Sequence, residues 1–377
     1  MNRRYQVLDS LRGIAAMSVF LFHITMVLPD SWREGVIWNS INLSPLHLFI
    51  TGDQPVILFF VLSGFVLSII FFSERKIPYI SFVIKRIVRL YFPYVISIVF
   101  AIILFLWLSR GGIASLGKLF NKLWIDQINM KMVVDHFLFI GNYNIYAFNI
   151  VIWTLIHEMR ISFIIPILVL LANRFSWKVN LALGIGLSMV GAGFHLIFQE
   201  PYQPVYKTFL YILMFIVGIL LSKNRFYLIS KYRSLTNKRK MLLTVIGSVL
   251  YIYADFLRNP LLIDWVTTIA VAILLIILLS SPLASKILLW KPFQFLGEIS
   301  YSLYLYHLPI LLGLIYLFYG KLPLLIIVSL SLLITIIVSR VAWRIIEKPS
   351  IKIANTLSHK FTIKYAPSVI KKGKEIG

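Results

Sequence analysis

Residues 8–28 read LDSLRGIAAMSVFLFHITMVL, an apolar run with an arginine near its start and a histidine near its end. A run of this length and composition predicts a membrane-spanning helix. On that helix Arg12 and His23 lie on the same face, about 16 Å apart along the axis. Asp9 precedes Arg12 by one turn and is within reach of a pair with it.

The histidine of this run is the first candidate functional residue. An ionisable side chain within a membrane helix is costly unless it faces a partner or an aqueous cavity, so His23 indicates a functional site. The simpler alternative is a histidine near the outer interface that is wetted by lipid headgroups. The other polar residues of the spans decide between the two.

The composition is that of a polytopic membrane protein. Of the 377 residues 59% are hydrophobic and 14% are charged, whereas soluble domains carry about 25% charged residues. The net charge is +23. The basic residues that cause it lie between the apolar runs, which is typical of cytoplasmic loops and not of a nucleic-acid-binding surface. Without cysteine the chain has no disulfide or thiol chemistry. The first run carries charges and lacks a cleavage site, so we interpret it as a span and not as a signal peptide.

Apolar runs of about 20 residues predict an all-α, polytopic transmembrane helix bundle of about ten spans. The predicted spans are 10–28, 46–73, 80–108, 148–171, 179–198, 207–222, 241–257, 262–280, 299–319 and 322–343. Most of the 37 Lys and Arg residues then lie on one side, which predicts cytoplasmic N- and C-termini. Residues 1–349 form the predicted transmembrane domain, and residues 350–377 form a basic cytoplasmic tail near anionic headgroups.

Two arginines lie at the cytoplasmic end of the third predicted span. Arg86 and Arg89 are three positions apart and project to one side of a helix. Paired guanidinium groups suit phosphate, because each offers a planar fork of donors. The alternative, which charge alone favours, is ordinary anchoring by positive residues on the cytoplasmic side.

The fourth span contains the stretch WTLIHEMR, residues 153–160. Its imidazole, carboxylate and guanidinium lie within four positions, which a purely structural role explains poorly. Glu158 and Arg160 are two positions apart and do not face each other on a helix. We therefore expect Glu158 to find its partner on another span, with His23 or Arg12 as the candidates.

Other polar positions have both a structural and a functional interpretation. Ser63 and Gly64 in the second span allow close helix packing or place a hydroxyl in a site. On the ninth span Ser300, Tyr304 and His307 follow i, i+4, i+7 spacing, which predicts a polar stripe. Such a stripe lines a cavity or forms an interhelical hydrogen-bond network.

The end of the last span is expected to be structural. Arg344 and Glu347 have the spacing of a helical pair, and Pro349 is expected to end the helix. The sequence contains no metal-ligand spacing, nucleotide-binding glycine loop or nucleophile elbow, so we expect no bound metal.

These motifs, in this order, resemble the acyltransferase-3 family of integral-membrane acyltransferases. The resemblance rests on Arg12 and His23 with ten residues between them, and on residues 60–65, 86–89, 153–158, 299–309 and 347–349. It covers residues 8–349. One departure is Asp53-Gln-Pro-Val56, where the family often has a glycine before valine.

The resemblance implies acyl transfer. Members of the family move an acyl group, most often acetyl, from cytoplasmic acyl-CoA to a hydroxyl of an extracytoplasmic carbohydrate or lipid-linked glycan. The expected protein is a bacterial cytoplasmic (inner) membrane O-acetyltransferase for a cell-surface polysaccharide, O-antigen or exopolysaccharide. The sequence ends before an extracytoplasmic hydrolase-like domain, so the stand-alone type is expected. Acetyl-CoA is then a donor substrate, and no cofactor is bound permanently.

The candidate residues fit this implication as a hypothesis. Arg12, Arg86 and Arg89 bind acyl-CoA on the cytoplasmic side. The distance of about 16 Å from Arg12 to His23 is similar to the length of pantetheine, so the thioester carbonyl reaches the histidine. His23 acts as general base on the acceptor hydroxyl or as a transient acyl carrier. Glu158 orients the imidazole and stabilises its cationic form.

Ser63, Tyr304 and His307 are the expected contacts to the acceptor or to the oxyanion. A different class of function stays open, a proton-coupled transporter or exporter of a glycan or small molecule, since ionisable residues within spans also suit a proton relay. The lack of internal repeats argues against a transporter. The oligomeric state, the acceptor and the length of the acyl group stay open.

Overall fold

The chain folds into a bundle of α-helices, seen in a computed structural model that describes residues 3–73, 77–125, 127–199 and 202–365. Over these residues helices follow one another with short connections, and no β-strand occurs. The prediction of an all-α bundle is confirmed.

The α-helices of the described residues are numbered in chain order. They are α1 (Arg3–Val27), α2 (Val36–Leu43), α3 (Asp53–Ile69), α4 (Tyr79–Leu108), α5 (Met130–Leu138), α6 (Ile152–Arg174), α7 (Trp177–Phe198), α8 (Val205–Lys223), α9 (Arg225–Arg233), α10 (Asn237–Ile252), α11 (Pro260–Ser280), α12 (Pro282–Leu288), α13 (Lys291–Phe318), α14 (Leu324–Ala342) and α15 (Lys348–Tyr365). Short 3-10 segments lie at Asp30–Arg33, Pro45–Phe49, Phe120–Lys122 and Ala254–Leu257, and a π-helix, Trp343–Glu347, joins α14 to α15.

Eight helices of the described chain are long and apolar enough to cross a membrane, judged by length and composition. They are α1, α4, α6, α7, α8, α11, α13 and the continuous helix that begins with α14. The two other predicted spans, 46–73 and 241–257, contain the 17-residue α3 and the 16-residue α10, which are shorter than the roughly 20 residues of a full span. The count of ten spans and the cytoplasmic placement of both termini stay predictions.

Two pairs of helices cross closely at glycines. A Cβ at Gly13 of α1 would overlap the backbone of α13 at Leu296 and Gly297, and a Cβ at Gly297 would overlap the backbone of α1 at Asp9 and Ser10. α3 and α8 cross in the same way at Gly64 and Gly218. Small residues permit the close backbone approach by which membrane helices associate. The first crossing holds the polar face of α1 against α13, which carries the predicted stripe.

The buried side chains form two large apolar clusters. One joins side chains of α1, α4, α6 and α13, and the other joins side chains of α1, α3, α6, α8 and α11. α1 and α6 contribute to both clusters. The two helices that carry the strongest candidate residues therefore lie between the two cores.

The segment after the last predicted span is helical where the structure describes it. α14 continues through the π-helix into α15, which packs against α4 with Thr362 Oγ1 donating to Ser81 Oγ at 3.0 Å. The expectation that Pro349 ends the helix is wrong. Proline removes only one backbone donor, and a π-helical turn is a place where the regular hydrogen-bond ladder is already interrupted. Of the predicted tail, residues 366–377 lie outside the described residues.

Candidate active site

A cavity of about 480 Å³ lies between α1, α3, α4, α6, α13 and α15. Its volume is in the range of sites that bind small molecules and cofactors. The predicted site residues that line it are Arg12, Ser63, Arg86, Arg89, Glu158 and Tyr304. Side chains from the starts of α1, α4 and α13 meet at one end of it, which is the predicted cytoplasmic side.

The central polar contact of the cavity is an ion pair. Arg86 Nη2 lies 2.8 Å from Glu158 Oε1 and donates to Ser162 Oγ at 3.0 Å. Ser63 Oγ donates to the same carboxylate oxygen at 2.9 Å. Arg86 is buried and Glu158 largely so, so each charge depends on the other for compensation. The contact ties α3, α4 and α6 together at one point.

Glu158 therefore pairs with Arg86, and the expectation that it orients the imidazole of His23 is wrong in this structure. Helical spacing predicts the face that a side chain occupies, but the helix that meets this face depends on the packing of the whole bundle. The carboxylate also restrains Arg86, which leaves that arginine fewer donors for a ligand than the sequence suggested.

The two other ionisable residues of the α6 motif, His157 and Arg160, do not line the cavity. The ring nitrogens of the buried His157 lie 3.0 Å from Thr208 Oγ1 and 2.8 Å from Gln203 Oε1. Arg160 donates to the backbone carbonyls of Ile140 and Gln203, among others. His157 and Arg160 thus fasten two loops to α6, which is a structural role.

The two other arginines of the cavity are held more loosely. Arg12 Nη1 lies 3.4 Å from Asp9 Oδ1, so the pair expected from their spacing forms at long distance. Arg89 makes no hydrogen bond or ion pair with any residue that the structure describes. Guanidinium groups with unused donors at the wall of a cavity suit an anionic ligand such as a phosphate.

The last two predicted residues, His23 and His307, form a pair beyond the inner end of the cavity. His307 Nε2 lies 3.3 Å from His23 Nδ1, and the ring centroids are 5.1 Å apart. The Nδ1 atom of each ring lies near a carbonyl oxygen of its own helix. For His23 this is the carbonyl of Val19 at 2.8 Å, and for His307 it is the carbonyl of Leu303 at 3.0 Å. The two histidines are 284 positions apart in the chain, so the packing of α1 on α13 brings them together.

The carbonyl contacts assign the tautomers of the pair. A carbonyl oxygen only accepts, so Nδ1 of each ring carries the hydrogen. The Nδ1–H of His23 is then shared between the Val19 carbonyl and His307 Nε2, which both accept from it, and His23 Nε2 keeps its lone pair. No described residue hydrogen-bonds to His23 Nε2, and the His23 side chain is partly exposed. That nitrogen is available to take a proton from a ligand.

Tyr304 separates the histidine pair from the cavity. Its hydroxyl donates to the Val151 carbonyl at 3.0 Å and lies 2.8 Å from Thr154 Oγ1. Its ring centroid is 5.9 Å from that of His307 and 5.7 Å from that of Phe59. Because Tyr304 lines the cavity, the inner end of the cavity is one side chain away from the pair. The polar stripe on α13 thus borders the cavity at Ser300 and Tyr304. It forms interhelical hydrogen bonds at Tyr304 and His307.

The long loop 109–147 packs on the same end of α1 as the histidine pair. Gly117 N donates to the Val27 carbonyl at 3.2 Å, four residues beyond the α1 histidine. Within this loop burial lowers the pKa of His136 to about 4. The Nε2 atom of His136 is buried and has no hydrogen-bond partner among the described residues.

Nearly the whole chain matches one protein family. The acyltransferase domain model of the acyltransferase-3 family matches residues 5–344. The chain belongs to this family. Among curated proteins, the O-acetyltransferase OatA of Staphylococcus aureus strains NCTC 8325 / PS 47, COL and MRSA252 is 24% identical over 379 residues, which is 91% of this chain and 56% of OatA. The chain spans about half the length of these relatives. No solved structure matches.

Membership of the acyltransferase-3 family makes the chain an acyltransferase with several membrane-spanning helices. It favours the enzyme over the proton-coupled transporter that the sequence left open. Among the described residues no three His, Asp or Glu side chains lie where they could hold a metal ion.

Several residues of the site were missed by sequence reasoning. Thr154 contacts Tyr304, and Glu347 accepts a hydrogen bond from Ser302 at 2.7 Å instead of pairing with Arg344. Other cavity residues that the sequence did not indicate are Tyr301, Lys348 and Lys352. The i, i+4 spacing of the two lysines was visible in the sequence, but Pro349 lies between them and was expected to end the helix.

Proposed function

We propose that this acyltransferase moves an acyl group, in the first place acetyl, from cytoplasmic acyl-CoA to a hydroxyl of an extracytoplasmic glycan. The acceptor class is a cell-surface polysaccharide, O-antigen or exopolysaccharide, and the site of action is the bacterial inner membrane. The observation that carries the proposal is the arrangement along α1, with loosely held arginines at one end and a histidine with a free lone pair about 16 Å away.

Donor binding is assigned to the arginine end. Arg12 and Arg89 line the cavity with donors that no strong internal partner occupies. Arg86, whose charge is compensated by Glu158, fixes the wall of the cavity. The diphosphate of the donor binds at this end and its pantetheine arm extends toward Tyr304. Because that side chain closes the inner end of the cavity, it has to yield for the thioester to reach the histidine pair.

Acyl transfer is assigned to His23 as general base. The acceptor hydroxyl gives its proton to His23 Nε2 while its oxygen attacks the thioester carbonyl carbon. The tetrahedral intermediate then collapses, the carbon–sulfur bond breaks, and the imidazolium returns the proton to the leaving sulfur. CoA departs as the thiol, and the acceptor keeps the acyl group as an ester.

His307 takes the role that the sequence gave to Glu158. Its Nε2 accepts from the Nδ1–H of His23, which fixes the ring orientation and supports the positive charge that develops during transfer, as the carboxylate does in catalytic triads. Ser63 and Tyr304 are proposed contacts to the oxyanion or the acceptor. Both hydroxyls already have an acceptor, which is the Glu158 carboxylate for Ser63 and the Val151 carbonyl for Tyr304, so each has to exchange that bond for one to the ligand.

The test compares surface-glycan O-acylation in cells that express the wild type or His23→Ala at equal membrane abundance, read by mass spectrometry. We expect the variant to lose at least a factor of about 10² in acyl transfer, the usual contribution of a positioned base. His195→Ala, which changes an exposed histidine of α7 away from the cavity, is the matched control.

Two outcomes would contradict this proposal in different ways. If the wild type adds no acyl group to any surface glycan, the donor or acceptor assignment fails. If His23→Ala keeps full activity, the assignment of the base fails and the transfer reaction stands. An acyl adduct on His23 of the purified protein, formed with acyl-CoA and no acceptor, would change its role from base to acyl carrier.

A further inference from the structure

The mouth of the cavity includes residues that follow the part of the chain matched by the family model. That match ends at residue 344, whereas Lys348, Ile351 and Lys352 of α15 line the cavity. The helix α15 therefore borders the site and contributes two cations to it.

The π-helix that precedes α15 sets the direction of these side chains. π-helical turns occur frequently at functional sites, because the added residue changes the face that the following helix presents. Here the last residue of the turn, Glu347, is buried and accepts from Ser302 of α13. The next residue, Lys348, and Lys352 are four positions apart and lie on one face of α15, at the rim of the cavity.

Neither ammonium group is neutralised from within the described chain. Lys348 Nζ lies 5.2 Å from the centroid of the Trp343 ring, and neither lysine forms an ion pair with a described residue. The nearby carboxylates have other partners: Glu298 is 2.8 Å from Arg340, and Glu347 is held by its hydroxyl donor. Two exposed and uncompensated cations at a cavity mouth suit a strongly hydrated anion outside the membrane.

The chemistry of a CoA donor supplies such an anion at this place. Along the molecule the order is thiol, pantetheine, diphosphate, ribose with a 3′-phosphate, and adenine. If the thiol end lies deepest, the diphosphate meets the guanidinium groups inside the cavity and the 3′-phosphate is the outermost charge. Planar arginine forks match the inner diphosphate, and flexible lysines match a solvated monoester.

We infer that Lys348 and Lys352 bind the 3′-phosphate of the donor, so that α15 selects CoA over carriers that lack this group. The inference rests on the proposed function, since it needs acyl-CoA as the donor. The same lysines have a second source of phosphate in anionic lipid headgroups, and the experiment separates the two sources.

The experiment measures the binding of CoA and of 3′-dephospho-CoA to the purified full chain, in nanodiscs of phosphatidylcholine alone and in nanodiscs that also contain an anionic phospholipid. Wild type is compared with Lys352→Gln, with the double variant Lys348→Gln/Lys352→Gln, and with Lys360→Gln. The last variant removes an exposed charge of the same helix that does not line the cavity. We expect CoA to bind roughly fivefold more weakly for each lysine removed, and dephospho-CoA to bind equally to all variants.

The outcomes are distinct. If the lysine variants weaken both ligands equally, or neither, the 3′-phosphate assignment is overturned while donor binding stands. If the difference between wild type and Lys352→Gln appears only in nanodiscs that contain anionic lipid, the lysines bind headgroups and the inference is wrong. If the wild type binds neither CoA nor dephospho-CoA, the proposed function fails and this inference fails with it.

Discussion

The two ends of the site hold their polar groups in different ways. At the arginine end three guanidinium groups line a cavity, one of them locked by Glu158 and two of them loosely held. At the histidine end two imidazoles hydrogen-bond to each other and to backbone carbonyls, among the rings of Phe20, Phe22 and Tyr304. A charged wall suits the binding of an anion, and an imidazole with a free lone pair suits proton transfer. Binding and chemistry are therefore separable, and substitutions at the two ends should have different effects.

The largest expected effect concerns the locked arginine. Glu158→Ala leaves Arg86 buried without its counter-charge, which should lower the free energy of unfolding by about 3–5 kcal/mol. Arg86→Met combined with Glu158→Ala removes both charges and should recover much of that loss. Denaturation in mixed micelles measures it. Glu298→Ala is the control, since its ion pair with Arg340 is exposed and should contribute less than about 1 kcal/mol. If Glu158→Ala and Glu298→Ala lower the free energy of unfolding equally, the buried ion pair is no more important for stability than the exposed one, and the prediction is wrong.

A second effect is expected at the histidine end, where a substitution should change kcat and not the donor KM. His307→Ala removes one of the two acceptors of the Nδ1–H of His23 and leaves the Val19 carbonyl as the other. Because the imidazolium that forms during transfer then loses the support of the second ring, we expect kcat to fall about 100-fold while the donor KM stays unchanged. His307→Gln keeps an acceptor oxygen near the position of Nε2 and should recover part of the rate. Steady-state kinetics with acetyl-CoA separates the two constants. A rise in donor KM without a loss of kcat would place this residue in donor binding instead.

A third effect concerns His136, a buried histidine that has no part in acyl transfer, and should appear only in the pH dependence of stability. The pKa of His136 is lowered to about 4 by burial, so the unfolded chain binds its proton first as the pH falls. The stability that this residue contributes is complete above pH 6.5 and is lost progressively toward pH 4, by about 2 kcal/mol at pH 5. His136→Phe should remove this part of the pH dependence and leave kcat unchanged, as unfolding curves from pH 7 to 5 can test. Identical pH profiles in wild type and variant would contradict the assignment.

The smallest effect is expected from a loosely held arginine. Arg89→Gln removes a charged donor from the cavity wall, so the donor KM should rise about tenfold with kcat unchanged. The matched control is Lys85→Gln, one turn earlier on α4 and outside the cavity lining. If kcat falls with the rise in KM, the arginine also acts on the transition state, and the two ends of the site are less separate than the structure suggests.

The sequence by itself determined that the chain lies in lipid and that its fold is all-α. Apolar runs of span length can satisfy their backbone only as helices in lipid, and the polar residues inside them stood out for that reason. The pair between Arg12 and Asp9 and the face shared by Arg12 and His23 follow from helical spacing alone. The motifs also indicated the family, because their order along the chain is a property of sequence.

Only the tertiary structure decided which polar group meets which. Spacing assigns a residue to a face, but the neighbour of that face is set by crossings such as Gly13 on Gly297, between segments far apart in the chain. For this reason Glu158 was predicted beside His23 and lies against Arg86 instead, while His23 meets His307. The lysines of α15 were hidden because a π-helical turn carries the helix through a proline, a local geometry that no residue pattern indicates.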